Sequence, residues 1–315
     1  MKMKSKECSL SLGRPKGTLG SRIWKSRQYY LMLLPAVLYV AFFCYAPMYG
    51  LQIAFKNYKV SLGITGSPWI GFRNFTDFFQ SYYFVTLMKN TFILSFYSLL
   101  IGFPIPIVIA LVLNELKGKT KKFTQTLLYA PHFISVVVLV SILTSMLSPS
   151  QGVVNTILEM FGMERNYFMA KPEYFRHLYV WSGVWQGMGW GAIIYLAALS
   201  GVDVSLHEAA DIDGATRLQK ILYINIPTIL PTIIIMLILR VGQIASVGYE
   251  KVYLMQNAMN IETAEVISTY VYKRGIINSN YSFSAAVGLF NNVINIVMVL
   301  TANWISKKIS KTSLF

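Results

Sequence analysis

Gly118-Lys119-Thr120 has the residue types of a phosphate-binding loop, in which glycine-rich backbone amides cradle phosphates and the Lys reaches the terminal ones. That chemistry needs a further glycine five positions earlier. Leu113 stands there instead, at the end of an apolar run rather than a strand. The three histidines, His132, His177 and His207, are scattered, with no His-x-x-x-His pair and no paired-carboxylate arrangement. Cys8 lies in a basic tail and Cys44 in an apolar run, so neither a disulfide framework nor a metal site is visible. The expectation is a chain with no catalysis, cofactor or metal of its own. Its most patterned polar stretch is Glu208-Ala209-Ala210-Asp211-Ile212-Asp213-Gly214-Ala215, continued by Ile224-Asn225-Ile226-Pro227 and Pro231. A non-catalytic chain that sets such a surface in a loop is offering it to another protein.

The elements that must position this loop are apolar. Of 315 residues, 55% are hydrophobic and 13% charged, against roughly 25% charged in a soluble domain. The apolar residues gather into runs at about 29–54, 84–113, 125–148, 176–201, 227–246 and 282–305. Each is long enough to cross about 30 Å of hydrocarbon as a helix. The expected fold is an all-α polytopic membrane protein with six transmembrane helices and a helix-turn-helix between spans 4 and 5. A basic tail (1–28) precedes the six-span domain (29–306), and a short tail (307–315) follows it. The first run is too long for a signal peptide and no small-x-small cleavage site follows it. Phe42-Phe43-Cys44 also lacks the small residues that precede a lipidated cysteine, so this run is read as a retained span. Pro35, Pro47, Pro104, Pro106, Pro131 and Pro231 predict kinks or broken turns, which neighbouring helices can tolerate. Residues 55–83, rich in Phe and Tyr, predict an aromatic helix at the membrane interface. Segments 149–175 and 247–281 predict short helices over the outer mouth.

The formal net charge is +15, which in a soluble protein would raise nucleic-acid binding. Here Lys and Arg sit at the ends of apolar runs, so topology explains them better, and no nucleic-acid partner is expected. They concentrate in the tail from Lys2 to Arg27 and in Lys117-Gly118-Lys119-Thr120-Lys121-Lys122. The positive-inside rule then puts both termini and the Glu208 loop in the cytoplasm.

Within that loop, Ser205-Leu206-His207-Glu208 fits a capping box, with Glu208 reaching back to the Ser205 amide. Gly214 suits the left-handed turn that ends helices. A second short helix is expected at about Ala215–Ile224, ending before Pro227. Two readings stand: Glu208 and Gly214 merely cap and turn the chain, or they shape a contact surface.

The spacing Glu-Ala-Ala, three residues, Gly, nine residues, Ile-x-Ile-Pro resembles the signature loop of importer permeases in the ATP-binding-cassette (ABC) superfamily. Ile226 stands where Leu is usual and Ile221 where an aromatic residue is common, and both keep the apolar character. The resemblance extends to Tyr45-Ala46-Pro47-Met48-Tyr49-Gly50, Ser67-Pro68-Trp69-Ile70-Gly71, Tyr129-Ala130-Pro131-His132-Phe133-Ile134-Ser135 and Trp185-Gln186-Gly187-Met188-Gly189-Trp190. These look like the LplB-type branch of sugar-importer permeases, itself similar to the maltose-type permeases. The resemblance implies that the loop is a coupling helix docking on a separate cytoplasmic ATPase through Glu208, Ala209, Ala210, Asp213, Gly214 and Arg217. It also implies a second, related permease forming a heterodimer, two ATPase copies that hold the ATP and Mg, and an extracytoplasmic solute-binding lipoprotein. The cargo it implies is an oligosaccharide or polysaccharide fragment, moved by alternating access in the cell membrane.

Several residues are candidates for the translocation path. Arg240 is the ionisable residue well inside a span, where a charge costs roughly 2.5–3.5 kcal/mol or more. It either faces a polar cavity or snorkels to the outer surface. Gln243 and Ser246 extend it as a polar stripe at helical spacing. Asn291 and Asn295 share a face of span 6 with Gly288, as helix–helix contacts or cavity lining. Trp181 and Trp185 lie one turn apart on span 4, as sugar-stacking rings or interface anchors. The alternative from another class is a self-sufficient ion-coupled secondary transporter. It would need an acidic or histidine relay inside the spans, where the sequence offers Arg240.

Overall fold

A computed structural model describes residues 24–310 of the chain. Most of the basic tail, with Cys8, and residues 311–315 lie outside the described residues. Every regular element among those described is helical, with one isolated bridge between Lys56 and Trp69. This is what hydrocarbon demands, because a helix satisfies its N–H and C=O groups within its own segment.

The principal helices are α1 (Arg27–Phe55), α2 (Phe84–Glu115), α3 (Gly118–Phe133), α4 (Val136–Met146), α5 (Pro172–Leu199), α6 (Val204–Ile212), α7 (Arg217–Val241), α8 (Tyr249–Met255) and α9 (Tyr281–Lys308). Of these, α1, α2, α7 and α9 are each long and apolar enough to cross a membrane. The α3–α4 pair is bent by 96° and the α5–α6 pair by 79°, which makes six spans if each bent pair is one.

The chain divides after Gln52 into two compact units. In the first, α1 is α-helical to Tyr39, widens to a π-turn at Val40–Tyr45 and tightens to 3₁₀ geometry from Ala46. Pro35 sits inside it, and Tyr39 and Phe43 stack at 5.2 Å.

The second unit is built on α5, whose inward residues enter two apolar clusters. Near one end of α5, Phe175, Val180 and Val184 pack with Leu94, Val140, Val247, Val252 and Met255. Near the other, Ala192, Tyr195 and Leu199 pack with Ala110, Leu111 and Ile229. A third cluster corrects the expectation of a purely interfacial helix before α2. Phe78, on the short helix Arg73–Phe79, is fully buried against Leu87, Ile267, Tyr270 and Val287, with Phe84, Phe283 and Phe290 around it. Phe72 and Tyr82 remain exposed. Short helices do occur where 149–175 and 247–281 predicted them, at Val153–Met160, Tyr249–Met255, Ile261–Ala264 and Ile267–Tyr272.

Two differences from the expected spans matter. The run at 125–148 is not one straight rod. Pro131 lies in a 3₁₀ turn at Ala130–Phe133, Ile134 is extended, and Ser135 caps a new helix by accepting from the Val138 N–H. Second, α7 starts at Arg217, well before the apolar run at 227–246, and ends at Val241. Within it a π-turn at Ile221–Asn225 separates the first polar turn from the apolar shaft.

Candidate functional site

The polar stretch beginning at Glu208 is α6 and the turn after it. Its N-cap is Asp203, whose carboxylate accepts from the Ser205 N–H at 2.9 Å. The expected Ser205–Glu208 capping box is therefore absent: the helix starts at Val204, so Ser205 already lies inside the first turn. Glu208 makes no hydrogen bond or ion pair among the described residues and is exposed, as are Ala209, Asp213 and Arg217; Ala210 is half-buried. Apolar Ile212, one turn beyond Glu208 on the same face, is 88% exposed, and Leu206 is 50% exposed.

The end of α6 is a Schellman motif. The Ala215 N–H donates to the Ala210 carbonyl at 2.8 Å, and the Gly214 N–H to Asp211 at 3.2 Å. Gly214 has φ of 70°, and nothing lies within 4 Å of where its Cβ would be. The backbone conformation, rather than lack of space, requires glycine here.

The second arm is the first turn of α7, not a separate helix over 215–224. Thr216 and Gln219 form the reciprocal capping box that the sequence suggested for Ser205 and Glu208. Lys220 then reaches back to Asp211 at 2.7 Å and latches the two arms together. That hydrogen bond, helped by the positive fields of His207 and Lys117, holds the Asp211 carboxyl below its ordinary range. The field of Lys117 also places the basic loop at this same end of the unit. Val202 at the root of α6 and Ile221 at the start of α7 both pack on the Ala192–Leu199 cluster, so both arms stand on one apolar base.

Two of the sequence motifs meet at the α3–α4 break. Gln186 donates its amide to the Ile134 carbonyl at 2.7 Å, satisfying a group that the broken helix leaves open. A Cβ on Gly189 would overlap the Leu128 backbone, so only glycine allows α5 to approach α3 there. His132 stacks on Trp190 with centroids 4.5 Å apart and planes 4° from parallel.

Farther along α5, α2 and α5 enclose a cavity of about 340 Å³ with the end of α7 and with α8. Arg240 and Gln243, both singled out in the sequence, line it. They do not continue one helical stripe: α7 stops at Val241, and Gln243 and Ser246 belong to the turn that follows. Arg240 has no hydrogen bond or ion pair among the described residues. The other cation in the lining is Lys251 of α8. Its side chain is 8% exposed, its Nζ donates to the Tyr179 carbonyl at 2.9 Å, and it lies 4.8 Å over the Tyr179 ring. Burial pushes this ammonium down to about 8. Gly183 leaves room for it, since a Cβ there would come within 3.2 Å of Nζ. Sequence reasoning missed Lys251 because it lies between spans and its partner, Tyr179, is far away in sequence.

The remaining candidates sit elsewhere. Asn295 ties α9 to the turn after α7, accepting from the Ala245 N–H at 3.0 Å and donating to the Ser246 hydroxyl at 2.8 Å. Asn291 has a buried, unpartnered Oδ1. Trp181 donates to the Tyr97 hydroxyl at 3.2 Å beside His177, and Trp185 is partly exposed; neither lines the cavity.

Residues 30–311 match the family described as binding-protein-dependent transport system inner membrane component. The chain is 41% identical over 295 residues, 93% of its length and 92% of the relative's, to the polygalacturonan/rhamnogalacturonan transport system permease protein YteP of Bacillus subtilis (strain 168). It is 42% identical over 287 residues, 91% and 90% of the two chains, to protein LplB of the same organism. Among solved structures, it resembles a chain of a bacterial ABC transporter involved in import of the acidic polysaccharide alginate. The TM-score is 0.86 at 44% identity, covering 93% of this chain and 99% of that one. A second structure, that transporter type with an alginate pentasaccharide-bound periplasmic protein, gives a TM-score of 0.86 at 43% identity, covering 94% and 99%.

Proposed function

Because the chain belongs to the family of binding-protein-dependent transport system inner membrane components, we propose that it is the permease through which a polysaccharide fragment is imported, driven by a separate ATPase that grips α6. Membership makes it a multi-pass membrane component and a non-catalytic one, and sets aside the ion-coupled alternative. The cargo follows from the relatives, whose names and titles concern polygalacturonan, rhamnogalacturonan and alginate. Its partners are a binding protein that delivers the saccharide, two ATPase copies and a related second permease.

One observation supports the coupling role above the rest. α6 is a short helix capped at both ends and latched to the first turn of α7, yet it leaves Glu208, Ala209 and Ile212 uncovered. Small Ala209 lets a partner approach closely, and Glu208 can pair with a basic residue there. A push on α6 passes through the Asp211–Lys220 latch into α7, which carries Arg240 at its far end. The concentration of Lys and Arg in the tail and the 117–122 loop supports a cytoplasmic placement for α6 and both termini.

The test replaces Glu208 with Arg and measures ATP-dependent saccharide uptake together with co-purification of the ATPase. Loss of at least one is expected; if both survive intact, the coupling role is wrong.

A further inference from the structure

The seam between α2 and α5 changes character along its length. At the start of α5 it opens into a second cavity of about 570 Å³, lined by Glu173 and Arg176 of α5, Glu262 of the short helix Ile261–Ala264, and Ile93 and Tyr97 of α2. Farther along, the same seam is apolar and uncovered. Ile93, Tyr97 and Leu100 share one face of α2, and His177, Trp181 and Trp185 share one face of α5. Of these, Ile93, Leu100, Trp181 and Trp185 are exposed. Tyr97 closes the floor between the two faces: its hydroxyl accepts from the Trp181 indole at 3.2 Å and bonds His177 Nδ1 at 2.9 Å.

The cavity carries both signs of charge and keeps them apart. Glu173 stands three residues before Arg176, a spacing at which a helix can join opposite charges. Yet among the described residues Arg176 makes no ion pair with Glu173 or Glu262. It is held instead by Asn90, whose Oδ1 accepts from Nη2 at 3.0 Å while its amide donates to the Glu262 and Glu265 carbonyls. A guanidinium has five N–H donors, so most of this fork stays open. Lys56 and Lys251 also lean on carbonyls rather than on an acid, so Arg176 alone marks nothing. The order of groups does: two acids and a fixed guanidinium at the end of a span, then an exposed apolar seam running into the hydrocarbon.

We propose that this seam binds a phospholipid with a zwitterionic, primary-ammonium headgroup. Its phosphate lies on Arg176, its ammonium between Glu173 and Glu262, and an acyl chain along Leu100 and Trp185. A guanidinium fork matches phosphate in parallel hydrogen bonds, and a primary ammonium has three N–H donors to share between two carboxylates. A quaternary ammonium has no N–H to give, and the two acids repel an anionic headgroup. Trp181, at the level where the charged cavity gives way to the seam, suits the membrane interface. The volume falls in the roughly 300–1,000 Å³ range of small-ligand sites.

The assembled transporter, with its partner subunits, is reconstituted in vesicles of equal parts phosphatidylethanolamine, phosphatidylcholine and phosphatidylglycerol with matched acyl chains. Lipid retained after extraction into detergent is identified by native mass spectrometry. The wild type is expected to retain phosphatidylethanolamine in preference to the other two. Arg176→Gln and Glu173→Gln should each lower that retention by about tenfold. Yield of the complex reports folding, and Glu173→Gln, a nearly isosteric change at an exposed residue, keeps the test decisive if Arg176→Gln does not assemble. A photoreactive benzoylphenylalanine in place of Leu100 should crosslink to lipid. Equal retention of the three lipids, or retention unchanged in the variants, would overturn the proposal. So would displacement of the lipid by an equal concentration of phosphoethanolamine, which would assign the cavity to a soluble zwitterion. A crosslink from that position to a partner subunit would overturn it too, by assigning the seam to a protein contact.

Discussion

On the α6–α7 turn, Lys220 and Asp211 meet at 2.7 Å in a pair whose acid is largely exposed, and the Asp213, Gly214 and Ala215 amides all donate back to carbonyls of α6. In the cavity at the other end of α7, Arg240 and Lys251 face no carboxylate, and Lys251 is almost wholly buried. The first arrangement completes itself: its charges set a shape and are weak contributors to stability. The second sets its cations without an acid: Lys251 rests on the Tyr179 carbonyl and ring, and Arg240 stays exposed. In the proposed reading one end of α7 takes the push of the ATPase and the other lines the cavity, so substitutions at the two ends should fail differently.

The largest effect is expected at the turn. Gly214→Val puts a β-branched residue at a φ of 70°, a strain of roughly 1–2 kcal/mol or more. ATP-driven uptake should fall by at least about tenfold while saccharide binding to the cavity is unchanged. Measuring both on one preparation checks this, and equal loss of binding would erase the division between the two ends.

Next comes the pH response of the cavity. The groups facing Lys251 are the Tyr179 carbonyl and ring, with Arg240 in the same lining and no carboxylate. With its ammonium pushed down to about 8, Lys251 is charged below that pH and neutral above it. Uptake of an acidic saccharide such as the alginate transporter imports should decline several-fold between roughly pH 7 and 9, and Lys251→Arg should flatten the profile. A profile unchanged by Lys251→Arg would assign the titration to another group.

The smallest effect is at the latch. Asp211→Asn removes a solvent-exposed ion pair, a class that contributes little to stability, so the thermal midpoint of the complex should barely move. The pair's sign is also fixed: an acid held below its ordinary range stabilises above the unfolded value and loses this as pH falls through the folded one. Uptake that weakens only at acid pH in the wild type, and is weak at every pH in Asp211→Asn, would show the latch at work.

Much of this was legible in the sequence because the bilayer and glycine leave few options. Long apolar runs marked the helices, and Gly214 marked a left-handed turn. Other features carried no local signal. Thr216-Arg217-Leu218-Gln219 is a capping box as plain as the one suggested at Ser205, but its helix begins among polar residues, so the apolar run hid ten residues of α7. Pro131 announced a break without its angle or the group that takes the freed carbonyl, Gln186 from across the fold. Lys251 and Asn295 act through contacts distant in sequence, with Tyr179 and Ser246, and no spacing rule reaches that far.

The π-turn at Ile221–Asn225 makes the angular phase of the chain adjustable by a single residue. A π-turn is an α-helix with one residue too many, and one residue is about 100° of rotation. Deleting it would turn α6 around the α7 axis by that amount while leaving Arg240 in place, so insertions and deletions between Lys220 and Asn225 act as a coarse rotary setting on where the outer arm points.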